Sequence, residues 1–119
     1  MMNNDTLKSF YIFFFEEVYK MLERDFQKNL IKELKERFKG CYVLKNDGSN
    51  TPVGFPDLTI LYKDKWAALE CKRENKAHKQ SLQPYYISNL DNMSFAKFIS
   101  PENKEDVLNE LQQAFGTDE

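Results

Sequence analysis

Gly54-Phe55-Pro56-Asp57-Leu58-Thr59-Ile60-Leu61-Tyr62-Lys63-Asp64-Lys65-Trp66-Ala67-Ala68-Leu69-Glu70-Cys71-Lys72 decides how the chain folds. Leu58 to Tyr62 and Trp66 to Cys71 are rich in strand-forming residues, and Lys63-Asp64 between them can turn the chain, so the stretch predicts a β-hairpin. If Tyr62 pairs with Lys65, each outward step keeps the sum of the two numbers constant, and Asp57 falls opposite Glu70. Opposed residues of an antiparallel pair lie roughly 5 Å apart on one face, where like charges repel. Two carboxylates so placed call for a cation. Side chains alternate along a strand, so Lys72 shares the face of Glu70 while Cys71 turns away. The patch holds two acids and a lysine, and such oxygen ligands suit a hard divalent ion such as Mg²⁺, which keeps several waters and binds through one or two carboxylates plus substrate phosphate. Phosphodiester hydrolysis is the reaction that uses this set.

Pro56-Asp57 followed by Glu70-Cys71-Lys72 resembles the metal-binding signature of the PD-(D/E)XK nucleases. The Gly-Phe-Pro-Asp form is similar to the small phage and bacterial branch near the VRR-NUC domains and Holliday junction resolvases. The resemblance covers the chain from about Glu23 to the C-terminal helix. It implies that Asp57 and Glu70 bind one Mg²⁺ or Mn²⁺ with the backbone carbonyl of Cys71, and that Lys72 acts on the attacking water or on charge growing at the phosphoryl oxygens. It further implies a glutamate from the first helix, Glu23 with Glu16 as competitor, and a glutamine from the helix after the hairpin, Gln83 with Gln80 as the alternative.

Bulk properties bound the rest. At 119 residues the chain reads as one domain, with residues 1–39 as an N-terminal helical segment and 40–119 as the core of sheet and helices. Hydrophobic residues at 41% and charged residues at 30% are ordinary for a globular protein, without linker or repeat. Phe10 to Phe15 is too short to span a bilayer and is followed at once by Glu16-Glu17, and no small-residue cleavage site follows it, so a cytoplasmic protein is expected. Cys41 and Cys71 lie on expected strands and, with one histidine in the chain, read as core thiols rather than a zinc site. A net charge of −2 argues against coating nucleic acid by bulk electrostatics. Local positive charge is offered by Lys72, Arg73, Lys76, His78 and Lys79, and the four after Lys72 are expected to grip a DNA backbone.

Along the chain, the helical pattern runs from about Asp5 to Phe38, continuous or with a break, with Asp5-Thr6 able to cap its start and Lys39-Gly40 closing it. Phe26, Leu30, Ile31, Leu34 and Phe38 form an apolar stripe, and Glu23 projects into its middle, where an acid is costly unless it meets a cation. Phe10 to Phe15 is apolar all round, which points to burial against another element or another subunit, and hence to a homodimer. Cys41 to Leu44 reads as a strand, and Lys45 to Pro52 as a polar loop. Gly54 permits a close backbone approach or simply a turn. Ser81 reads as the N-cap of a helix to about Leu90, in which Gln83, Tyr86, Ile87 and Leu90 share a face. Ala96 to Ile99 is a short strand. Ser100-Pro101-Glu102 starts a final helix whose buried face is Val107, Leu108, Leu111, Ala114 and Phe115.

The order α-β-β-β-α-β-α predicts an α/β fold, a mixed sheet flanked by helices, consistent with a restriction-endonuclease-like core. The expected function is a metal-dependent endonuclease acting on DNA, structure-selective for branches or nonspecific. Two rivals are a catalytically silent nuclease-fold binding module, occupying a nucleic acid or host protein, and an assembly protein whose hairpin charges are mere cross-strand salt bridges.

Overall fold

The computed structural model describes residues 3–74 and 82–116. It runs α1 (Asn4–Arg37), β1 (Tyr42–Lys45), β2 (Leu58–Tyr62), β3 (Lys65–Cys71), α2 (Gln83–Met93), β4 (Ala96–Ile99) and α3 (Lys104–Phe115), the order expected from the sequence. The strands form one sheet in the order β1-β2-β3-β4, antiparallel except that β4 runs parallel to β3. A parallel neighbour requires a crossover, and α2 supplies it.

The hairpin register is Tyr62 to Lys65, Ile60 to Ala67 and Leu58 to Leu69. Asp57 and Glu70 are the next residues outward on the two arms, beyond the last pair. Lys63 takes a left-handed backbone at φ 57° to make the two-residue turn, a conformation that suits the twist of the paired strands.

Alternation along the strands separates two apolar layers. Leu58, Ile60, Ala67, Leu69 and Cys71 face α1 and α3 and bury Leu30, Leu34, Phe38, Leu108 and Leu111 among them. Ala68 and Ala96 face the other way, against Ile87 of α2 with Trp66, Leu90 and Phe98 around them. Small residues on β3 let α2 lie close to the sheet. Arg37 ties α1 to α3, its Nε donating to Gln112 Oε1 at 3.0 Å, and Lys104 pairs with Glu33 at 2.9 Å.

Several element ends differ from the sequence reading, each for a local reason. The first helix is one unbroken rod, capped by Asn3, whose Oδ1 accepts from the Thr6 amide at 2.8 Å, rather than by Asp5-Thr6. The first strand starts at Tyr42, and Cys41 is a half-buried residue of the turn before it, its thiol directed at the Leu34 carbonyl. Helix α3 begins at Lys104 and not at Pro101, because the Asn103 side chain accepts from the Ser100 amide at 2.7 Å and holds residues 101–103 as a turn. Ala114 is exposed, so the buried face of α3 is Val107, Leu108, Leu111 and Phe115. Ser81 lies outside the described residues; Leu82 occupies the N-cap position of α2 and gives no side-chain cap. Among the described residues, no helix is long and apolar enough to cross a membrane.

Candidate metal centre

β2 and β3 bring the hairpin charges together at the open end of the sheet. Asp57 stands one residue before β2, where its backbone carbonyl accepts from the Asn46 amide at 2.7 Å and its Oδ2 accepts from the Cys71 amide at 2.9 Å. Asn46 also fastens the following loop, its Oδ1 accepting from the Gly48 amide and the Thr51 hydroxyl. The backbone of Asp57 is thus fixed from the β1 side and its carboxylate from the β3 side. In an extended strand the N–H and C=O of one residue face the same neighbour, so the Cys71 carbonyl lies on the Asp57 flank.

Glu70 and Lys72 alternate onto the α2 face of the sheet and are both buried, Glu70 at 4% and Lys72 at 8% exposure. Lys72 Nζ donates to Gln83 Oε1 at 2.8 Å and stands 3.8 Å from Glu70 Oε2. Gln83, at the first position of α2, is buried as its helical spacing predicts. Gly54 explains how α2 comes so close. At φ 89° its backbone is left-handed, and a Cβ there would meet Leu82 Cβ at 2.8 Å and the Gln83 amide nitrogen at 3.3 Å. The close approach allowed by Gly54 is to the first turn of α2, and it seats Gln83 over Lys72.

Glu70 is in an environment that does not suit a lone carboxylate. Burial first, then the charge and contact of Asp57, push its acid up to about 9 against the opposing pull of Lys72, and Glu23 adds a smaller push. Its Oε1 is buried and has no hydrogen-bond partner among the described residues. An orphaned buried carboxylate oxygen is costly. A cation at that oxygen would satisfy it and reverse the push.

A cleft of about 310 Å³ opens on the α1 side, bordered by Glu17, Lys20, Glu23, Arg24, Gln27, Asp57 and Cys71. Another of about 350 Å³ opens on the α2 side, bordered by the Asn46–Phe55 loop, Asp57, Glu70 and Gln83. Asp57 borders both. Glu23 is half-buried and points into the first cleft, whereas its competitor Glu16 is exposed further out along α1. Gln27, four residues after Glu23 on the same helical face, is a site residue that the sequence motifs do not reveal; it hydrogen-bonds the Cys71 thiol.

Arg73 is turned to the α1 side, its guanidinium 3.8 Å from the centre of the Tyr19 ring and its Nε buried. Lys76, His78, Lys79 and the alternative Gln80 lie outside the described residues.

The donor set fits a hard cation held through two carboxylates. Among the described residues no three Asp, Glu, His or Cys side chains gather closely enough to hold an ion by themselves. Mg²⁺ asks for less: one or two carboxylates, a carbonyl and water. Asp57, Glu70 and the Cys71 carbonyl can supply that much, with Glu23 within electrostatic reach of Glu70. Comparison with family models, curated proteins and solved structures finds no match to this chain.

Proposed function

We propose that the chain is a metal-dependent endonuclease of the PD-(D/E)XK type, hydrolysing phosphodiester bonds in DNA with Mg²⁺ or Mn²⁺ at Asp57 and Glu70. The observation that carries this reading is a carboxylate pair, half-buried Asp57 and buried Glu70, with an orphaned Glu70 oxygen, set beside a lysine whose ammonium is aimed by Gln83. A divalent ion at such a site supplies charge neutralisation and a more acidic water.

The chain's own groups divide the remaining work. Asp57 and Glu70 follow directly on the last hairpin pair, Leu58 with Leu69, which keeps the two carboxyl groups side by side. Lys72, kept in place by the Gln83 acceptor, donates toward negative charge that develops on the phosphoryl oxygens, or orients the attacking water. Glu23 approaches from the α1 cleft and completes the acidic lining through water. Arg73, Lys76, His78 and Lys79 carry the backbone grip, in a cytoplasmic setting. The substrate is branched DNA, or DNA nicked without sequence preference, and the active form is a homodimer.

The test incubates the full chain with supercoiled plasmid and with a four-way junction, in Mg²⁺, in Mn²⁺ and in chelator, beside Asp57→Ala and Lys72→Ala. Cutting that needs metal and is lost in both variants supports the reading. Folded protein that cuts neither substrate overturns it in favour of a binding module.

A further inference from the structure

The amino-terminal half of α1 leaves the body of the protein. The helix has 34 residues, about 51 Å at 1.5 Å per residue, and the molecule measures 66 × 27 × 24 Å. Phe10, Tyr11, Ile12, Phe13, Phe14 and Phe15 are each 51–62% exposed, and no other element of the described chain covers them. Half-exposed side chains of this size present on the order of 600 Å² of apolar surface, at the top of what a monomer's largest patch shows.

We infer that this tip is the surface through which two copies of the chain pair, helix against antiparallel helix. The spacing of its residues supports a helical partner. Leu7, Tyr11, Phe14 and Val18 follow the 4-3-4 spacing of a coiled-coil seam, and Phe10 and Phe15 occupy the positions that flank it. The seam is symmetric about the midpoint between Ile12 and Phe13. Turned end for end, a second copy sets its Val18 against Leu7 and its Phe14 against Tyr11. The tip carries Lys8 near one end and Glu16 and Glu17 near the other, so antiparallel pairing brings unlike charges level and parallel pairing brings like charges level. The seam and its flanks, Leu7, Phe10, Tyr11, Phe14, Phe15 and Val18, hold on the order of 1,000 Å² of exposed surface in two tips together, about what a specific interface must clear. A membrane surface is the poorer occupant, because the flanks hold Asp5, Glu16 and Glu17 against one Lys8, where an interfacial helix is rich in basic residues.

Pairing in this register has a consequence for the candidate metal centre. Asn3 to Leu7 of the second copy come level with Val18 to Leu22, the rim of the cleft bordered by Glu17, Lys20 and Glu23. The inference does not depend on nuclease chemistry, and its readout is mass.

Sedimentation of the full chain is expected to give a dimer, and Phe14→Glu or, separately, Tyr11→Lys is expected to give a monomer with unchanged helical circular dichroism and a cooperative melt. Direction is read by cross-linking on a Cys41→Ser background. Leu7→Cys mixed with Val18→Cys is expected to form a mixed disulfide that neither variant forms alone. A monomeric wild type, a dimer untouched by both tip substitutions, or a monomer that instead sediments with anionic phosphatidylserine vesicles overturns the inference. Self-cross-linking of Leu7→Cys alone overturns the antiparallel arrangement.

Discussion

Lys72 and Gln83 meet at 2.8 Å, both buried, across the gap between β3 and the first turn of α2. A buried ammonium needs acceptors, and Gln83 Oε1 is one that adds no charge to a crowded acidic site. Replacing Gln83 by Leu removes that acceptor while keeping bulk. The expected loss is about 1–3 kcal/mol of stability, read by urea denaturation, with plasmid cleavage slowed at unchanged DNA affinity. Unaltered cleavage by Gln83→Leu would show that Lys72 needs no such aim.

Gly54 ought to tolerate no side chain, for two reasons that Gly40 separates. Both glycines are left-handed at φ 89°, but an added Cβ at Gly40 meets nothing within 4 Å, whereas at Gly54 it meets Leu82 at 2.8 Å. Gly40→Ala is expected to cost about 1 kcal/mol of backbone strain alone. Gly54→Ala adds displacement of α2 and so carries Gln83 away from Lys72. Thermal melts and cleavage rates of the two variants should therefore diverge, with activity falling only for Gly54→Ala.

The pH dependence of the metal-free protein follows from Glu70. Its folded acid titrates near 9 and the unfolded one near 4.5, so between those values the folded state binds the extra proton. The stabilising contribution is complete below about pH 4.5 and is lost as pH rises toward 9. Melts in chelator should show stability declining across that window more steeply for wild type than for Glu70→Gln. Equal slopes would mean that Glu70 is already ionised in the apoprotein.

Burial raises the Cys71 thiol far above its ordinary value and the Cys41 thiol more modestly. A thiol that stays protonated is a poor nucleophile. Native protein is expected to react slowly with a maleimide at Cys41 and not at Cys71 until urea unfolds it, as mass spectrometry of the labelled peptides would report. Rapid labelling at Cys71 would mean that β3 opens at this end.

The hairpin could be read from the chain because its information is local: β-rich arms, a two-residue turn, and a register that arithmetic extends to Asp57 and Glu70. Helical spacing turns Gln83 inward, and the stripe that follows Glu23 does the same for that acid. What local pattern does not carry is which partner wins between elements. Asn103 took the Ser100 amide, so the last helix started later than Ser100-Pro101 suggested. Arg73 found the ring of Tyr19, 54 positions earlier, rather than solvent. Gln27 sits one turn after Glu23, and the same spacing argument extended by four residues would have found it.

The most direct measurement is Mn²⁺ binding to the full chain, followed by titration calorimetry and by the loss of the free-ion paramagnetic signal. The carboxylate pair predicts saturable binding with release of a proton from Glu70 at pH 7, and its loss in Asp57→Asn and Glu70→Gln proteins that remain folded. Absence of Mn²⁺ binding to the wild type, or binding unchanged in both variants, would contradict the assignment of Asp57 and Glu70 as a metal centre.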